Sequence, residues 1–121
     1  MKGLLRRSAL LAIAVLGLLV TAAPSSAYPS IDIVASNWKF TPATITLYAG
    51  ETRELRLTSS SGVHGLESKA LGLPLTVISP GKWVRVKVTP KKVGTYVLGC
   101  AILCGPGHKN MILTVKVVNP Q

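Results

Sequence analysis

Along most of this chain apolar and polar residues alternate in short runs, and clusters of Gly, Pro and Ser separate the runs. The clearest run is Trp83-Val84-Arg85-Val86-Lys87-Val88. Its valines fall on one side and its cations on the other, as a half-buried antiparallel strand requires. Leu55 and Leu57 flank Arg56 with the same period. Strands are predicted over 31–35, 44–48, 53–58, 74–78, 83–89, 95–99 and 112–118, and no ten-residue stretch beyond the N-terminal region has helical periodicity. Ala49-Gly50-Glu51, Pro80-Gly81-Lys82 and Val93-Gly94-Thr95 place Gly where a tight reversal follows a strand. The expected fold is all-β, a sandwich or barrel of about 7–8 short strands. Trp38 and Phe40, straddling a loop that ends at Pro42, are expected to cover one end of its core.

The N-terminal region breaks this pattern. Lys2, Arg6 and Arg7 precede an apolar run over 9–20, and Ser25 and Ala27 suit cleavage before Tyr28. Residues 1–27 therefore read as an export signal. The alternative is an uncleaved N-terminal anchor, because the run stretched to Ala27 just reaches the roughly 20 residues that a spanning helix needs. The residues around Arg6-Arg7 match a twin-arginine signal poorly. Residues 28–121 form one domain, with enough chain for a single modest core. In that domain eleven Lys and Arg stand against four Asp and Glu, leaving about +7 of the whole chain's +10. The cations are scattered and alternate with apolar residues, which makes a solvated basic surface and argues against nucleic acid. Docking to an acidic partner or an anionic membrane face is the functional alternative.

The chemistry is concentrated in Cys100-Ala101-Ile102-Leu103-Cys104-Gly105-Pro106-Gly107-His108-Lys109-Asn110-Met111, a predicted loop between two strands. A second predicted loop, Ser61-Gly62-Val63-His64-Gly65, lies well upstream. Apart from the initiator Met1, these two segments hold every Cys, His and Met of the chain. Thiolate, imidazole and thioether are soft or borderline ligands that suit copper in both oxidation states. Calcium and magnesium want oxygen, and the Cys100 loop has no carboxylate. Zinc accepts two Cys and two His, but it leaves Met111 superfluous and usually takes paired spacings. A Cys100–Cys104 disulfide is natural in an exported protein, yet it leaves His64, His108 and Met111 unexplained.

One copper or two remains open from the residues alone. Without Cys100 the set reads as a mononuclear blue site of His64, Cys104 and His108 with a weak axial Met111. With Cys100 as a second bridging thiolate the count closes for two metals, each with one imidazole and one weak axial donor. Here the sequence strongly resembles the CuA domain of cytochrome c oxidase subunit II, which is also found in nitrous oxide reductase. The family pattern C-x₃-C-G-x₂-H-x₂-M is matched by Cys100, Cys104-Gly105, His108 and Met111, and the upstream V-H-[SG]-[FL] loop by Val63-His64-Gly65-Leu66. Phe40-x-Pro42, Pro80-Gly81 and Gly94-Thr95-Tyr96 extend the likeness over about 90 residues. It is most similar to compact oxidase subunits whose CuA domain follows a single anchor.

The resemblance implies a cupredoxin-like Greek-key fold and a dinuclear copper centre. By it, Cys100 and Cys104 bridge both metals, His64 and Met111 complete one, and His108 with the Ile102 backbone carbonyl completes the other. The family often carries Glu at the Ile102 position; the ligand being a backbone oxygen, Ile is compatible with it. Leu103, Ile102 and Leu66 are expected to keep water from the site, and His108 to be the exposed edge through which electrons enter. The implied activity is one-electron transfer from a cytochrome or cupredoxin donor to a terminal oxidase, at the periplasmic face of the cytoplasmic membrane, with membrane association. Two departures bear on the partner. Common members carry two membrane helices, and they present acidic residues to a basic cytochrome c. Here cations outnumber Glu51, Glu54 and Glu67, and Lys109 beside His108 would repel a basic donor. The resemblance therefore carries over the metal site and not the identity of the redox partner, for which an acidic protein is one option. The alternatives are a mononuclear blue-copper carrier, a periplasmic copper storage or delivery protein, and a structural sandwich without metal. No Ser/His/acid set for hydrolysis accompanies the ligands, so catalysis by the domain alone is not expected.

Overall fold

The computed structural model describes residues 12–19 and 28–121; the rest of the expected leader lies outside the described residues. Among the described residues there are nine strands, one 3-10 turn and no α-helix. No helix among them is long and apolar enough to cross a membrane.

The strands are β1 (Ser30–Ser36), β2 (Lys39–Thr41), β3 (Thr44–Tyr48), β4 (Arg53–Ser59), β5 (His64–Ser68), β6 (Leu73–Ile78), β7 (Val84–Val88), β8 (Gly94–Gly99) and β9 (Ile112–Val118). They form a four-stranded sheet in the order β2-β1-β4-β7, a three-stranded sheet β3-β9-β8 and the hairpin β5-β6. Strands β1 and β4 pair in parallel, as do β3 and β9, so the chain crosses between sheets rather than meandering within one.

Period two fixes which side each strand buries. Ile33 and Ala35 of β1, Leu55 and Leu57 of β4, Ile45 and Leu47 of β3, and Leu113, Val115 and Val117 of β9 meet in one core with Phe40 and Leu98. The outward side of β4 holds charge. Arg56 lies in register with Asp32 and forms an ion pair at 3.1 Å that lacks hydrogen-bond alignment. Arg85 donates to the buried Glu54 carboxylate at 3.0 Å.

All seven expected strands are present, with two more. β2 falls where the sequence predicts a loop, because a run of only three residues shows no period. β5 corrects a sharper expectation: His64 is the first residue of a strand, not part of a loop. Its sequence, His-Gly-Leu-Glu-Ser, has a glycine and mixed polarity, and three consecutive residues of it are buried. That happens because β5 pairs with β6 on one side while Gly65 accepts a hydrogen bond from Ala101 N at 2.8 Å on the other.

Candidate metal centre

The loop from β8 to β9 and the start of β5 meet at one end of the sandwich. Cys100 N bonds to Met111 O at 3.2 Å, closing the neck of the loop, and the Ala101–Gly65 bond ties it to β5. Within the loop, His108 N bonds to Gly105 O at 3.1 Å and Asn110 N to Gly107 O at 3.0 Å, forming the turn at His108–Asn110. Twelve residues that carry four candidate ligands are thus held mainly by their own backbone.

One donor atom each from His64, Cys100 and Cys104 lie within 4.8 Å of one another. Both cysteines are free thiols, Cys100 buried and Cys104 half-buried. Cys104 Sγ lies 3.5 Å from His108 Nδ1 and 3.9 Å from Met111 Sδ. All five soft side chains are therefore linked through contacts at one place, as the two sequence segments suggested. Ile102 lies within the same loop, and its side chain packs so closely on Gly65 that a Cβ there would stand 3.1 Å from Ile102 Cγ2.

His64 is the most informative of the five. Its ring has no exposed surface. Nε2 lies 2.7 Å from Ser61 O, a carbonyl that can only accept, so Nε2 carries the proton. Nδ1 is then a bare lone pair, and it is buried without any hydrogen-bond partner. A buried polar atom left unpaired costs about 1–3 kcal/mol and calls for an explanation. A ring nitrogen of His64 lies within 4.8 Å of both thiol sulfurs, and Nδ1 is the nitrogen left free to take a soft cation.

The Cys104 thiol is held protonated. Cys104 is pushed up from 9.0 to about 11, first by burial, then by a hydrogen bond with Cys100 and by the charge that Cys100 would carry. Two adjacent thiols resist ionising together unless a cation takes up the charge. The donor set and the orphaned imidazole nitrogen thus fit a metal.

Two expectations need correction. Leu103 is 88% exposed and shields nothing; within this turn its side chain points to solvent, while Leu66 and Met111 are fully buried and Ile102 partly. Trp38 is 37% exposed and covers the ligand loop rather than the core, a task left to Phe40. Its Nε1 donates to Cys104 O at 3.2 Å, and a Cβ on Gly107 would run into its ring. The signal in the sequence is Gly105 and Gly107 with Pro106 between them, two places where a flat ring approaches backbone. A cavity of about 250 Å³ lined by Tyr48, Glu51, Arg53 and Gln121 lies away from these residues and holds none of the candidate ligands.

A four-stranded and a three-stranded sheet, completed by the β5-β6 hairpin and with a soft-ligand loop between the last two strands, define a β-sandwich of the copper-protein type. The chain belongs to the cupredoxin-like domain family, which it matches over residues 9–112. It is 38% identical over 78 residues to the probable cytochrome c oxidase subunit 2 of Streptomyces coelicolor, covering 64% of this chain and 24% of that protein. The cytochrome c oxidase subunit 2 of Thermus thermophilus is 28% identical over 88 residues, 73% of this chain and 64% of that one. Among solved structures, the periplasmic domain of subunit II of cytochrome oxidase (CoxB) of Bradyrhizobium japonicum superposes with a TM-score of 0.68 at 16% identity, over 81% of this chain and 88% of that chain. The chain thus spans about a quarter of the length of the Streptomyces relative.

Proposed function

We propose that this protein is a one-electron carrier with a dinuclear copper centre of the CuA type. The observation that carries the reading is the buried His64, its Nδ1 without a partner and a ring nitrogen within 4.8 Å of two free thiols. Cys100 and Cys104 would bridge the metals, with His64, His108, Met111 and the Ile102 carbonyl as the remaining ligands. Bound copper supplies reversible one-electron chemistry, and sharing one electron over two ions and two sulfurs keeps each bond-length change small.

The chain's own residues do the rest. Ser61 O holds the His64 Nε2 proton and so aims the Nδ1 lone pair at the thiols. Leu66 and Met111, both fully buried, exclude water from the inner side. Trp38 and the backbone bonds of the loop fix the ligands in position before metal arrives, which lowers the rearrangement needed on electron transfer. His108 is half-buried, so part of it stays open to a docking partner.

The proposed acceptor is a terminal oxidase, by likeness to the subunit 2 relatives, and the proposed setting is the periplasmic face of the membrane. The donor is proposed to be a redox protein with an acidic face. Lys39 next to Trp38 and Lys109 next to His108 are exposed, and no Asp or Glu occurs in the segments 37–39, 60–64 and 100–111 that form the metal end. Copper loading of the purified protein, followed by metal analysis and EPR, tests the centre. Two coppers per chain sharing one unpaired electron support it; a blue protein with one copper favours the mononuclear alternative.

A further inference from the structure

Strand β4 buries the row Leu55, Leu57, Ser59, in which a hydroxyl occupies a place suited to an aliphatic side chain. Ser59 is only 5% exposed. Its backbone meets Ala35 across β1 and bridges to Pro80, so the side chain has little freedom. Its Oγ lies 2.6 Å from Gly62 O and 3.0 Å from Ser61 O, reaching two successive carbonyls with one proton. Ser61 O is also the acceptor for His64 Nε2. On the other side Asn37 N donates to Ser61 Oγ at 3.0 Å, and Asn37 Oδ1 packs against Gly62, whose φ of 74° leaves no room for a Cβ.

We propose that Ser59 is the positioning residue for His64: its hydroxyl locks the Ser61–Gly62 backbone so that the Ser61 carbonyl holds Nε2–H and Nδ1 faces the thiols. This rests on the copper reading only for its purpose, since the lock exists without metal. A carbonyl free to rotate would leave the buried Nε2–H unpaired, and the ring would tilt or exchange tautomers. Partners of metal-bound histidines commonly matter about 10–100-fold in affinity, and Ser59 acts one bond further out, at the low end of that range.

The test uses the purified full chain carrying Ser59→Ala, Ser59→Thr or Ser60→Ala. Ser60 makes only a long 3.5 Å contact to Ala35 O and is exposed, so it serves as the control. The first measurement is made without metal, using nitrogen-15 NMR of the His64 ring. A single tautomer with a slowly exchanging Nε2 proton is expected in the wild type, in Ser60→Ala and in Ser59→Thr. Ser59→Ala is expected to lose that slow exchange and shift both ring nitrogens. The second measurement is copper affinity against a chelator, where Ser59→Ala is expected to weaken binding by about tenfold with Ser59→Thr restoring it. An unchanged His64 ring together with affinity within about twofold of the wild type would overturn the assignment. If Ser59→Ala fails to fold, Ser59→Thr decides, because a retained hydroxyl must give the wild-type ring signals. If the wild type takes up no copper, the functional reading fails while the metal-free measurement still judges Ser59.

Discussion

An imidazole with no exposed surface has to satisfy both ring nitrogens from the protein, and His64 satisfies one. Cys104 poses the opposite problem, holding a proton that a metal must displace. Cys104 stands at about 11, so copper uptake is expected to release protons and the apparent affinity to fall as pH is lowered. A titration in weak buffer with a pH indicator checks it, and uptake without proton release would count against thiolate ligation. The same raised value has a consequence for stability without metal. The unfolded chain gives up this proton near 9.0, whereas the folded chain keeps it until about 11. Between those values the folded state binds more protons, so stability should be full below pH 9 and decline as pH rises to 11. Urea midpoints of the metal-free protein across that window measure the decline, which Cys104→Ser should lessen. Replacing Cys100 with Ser removes one proposed bridge, and copper content should drop from two to one at most; a variant holding two coupled metals would refute the bridging role.

At the scale of elements, what was legible in the sequence followed the strength of the local signal. Leu55, Leu57 and the valines of β7 alternate cleanly, and the structure buries or half-buries the faces that alternation assigned to the core. Strand β5 had no such signal, because its pairing comes from β6 and from Ala101, which lies 36 residues further along the chain than Gly65. Donor type and spacing brought the five soft side chains into view as one set, since no other Cys, His or late Met competes for the role. Trp38 and Ser59 stayed hidden for a different reason. Their roles depend on long-range approach, the first to Gly105 and Gly107 and the second to Ser61 and Gly62. Gly107→Ala should therefore force the ligand loop away from Trp38 and weaken copper retention, with the β scaffold intact by circular dichroism. In contrast Leu57→Ala, deep in the core, should cost about 2–5 kcal/mol in denaturant unfolding while the ligands stay together.

The whole molecule separates scaffold from chemistry: the two larger sheets and the β5-β6 hairpin enclose an apolar core, and the ligands gather at one end of it. Metal binding to the folded state alone should raise the melting temperature, and a chelator should reverse the rise. The charge distribution bears on encounter rather than on fold. With Lys39 and Lys109 beside the proposed docking end, reduction by an acidic cytochrome should be faster than by a basic one, and should slow as salt is added. Lys109→Glu should reduce or invert that preference in stopped-flow measurements, whereas a rate indifferent to salt would remove the electrostatic basis for an acidic donor. The proposed centre itself depends on how many copper ions the thiols hold. The most direct measurement is EPR of the copper-loaded protein together with its metal content. Two coppers per chain with one electron delocalised over both are expected, and a single localised Cu(II), or thiols joined to each other in the loaded protein, would contradict the dinuclear centre.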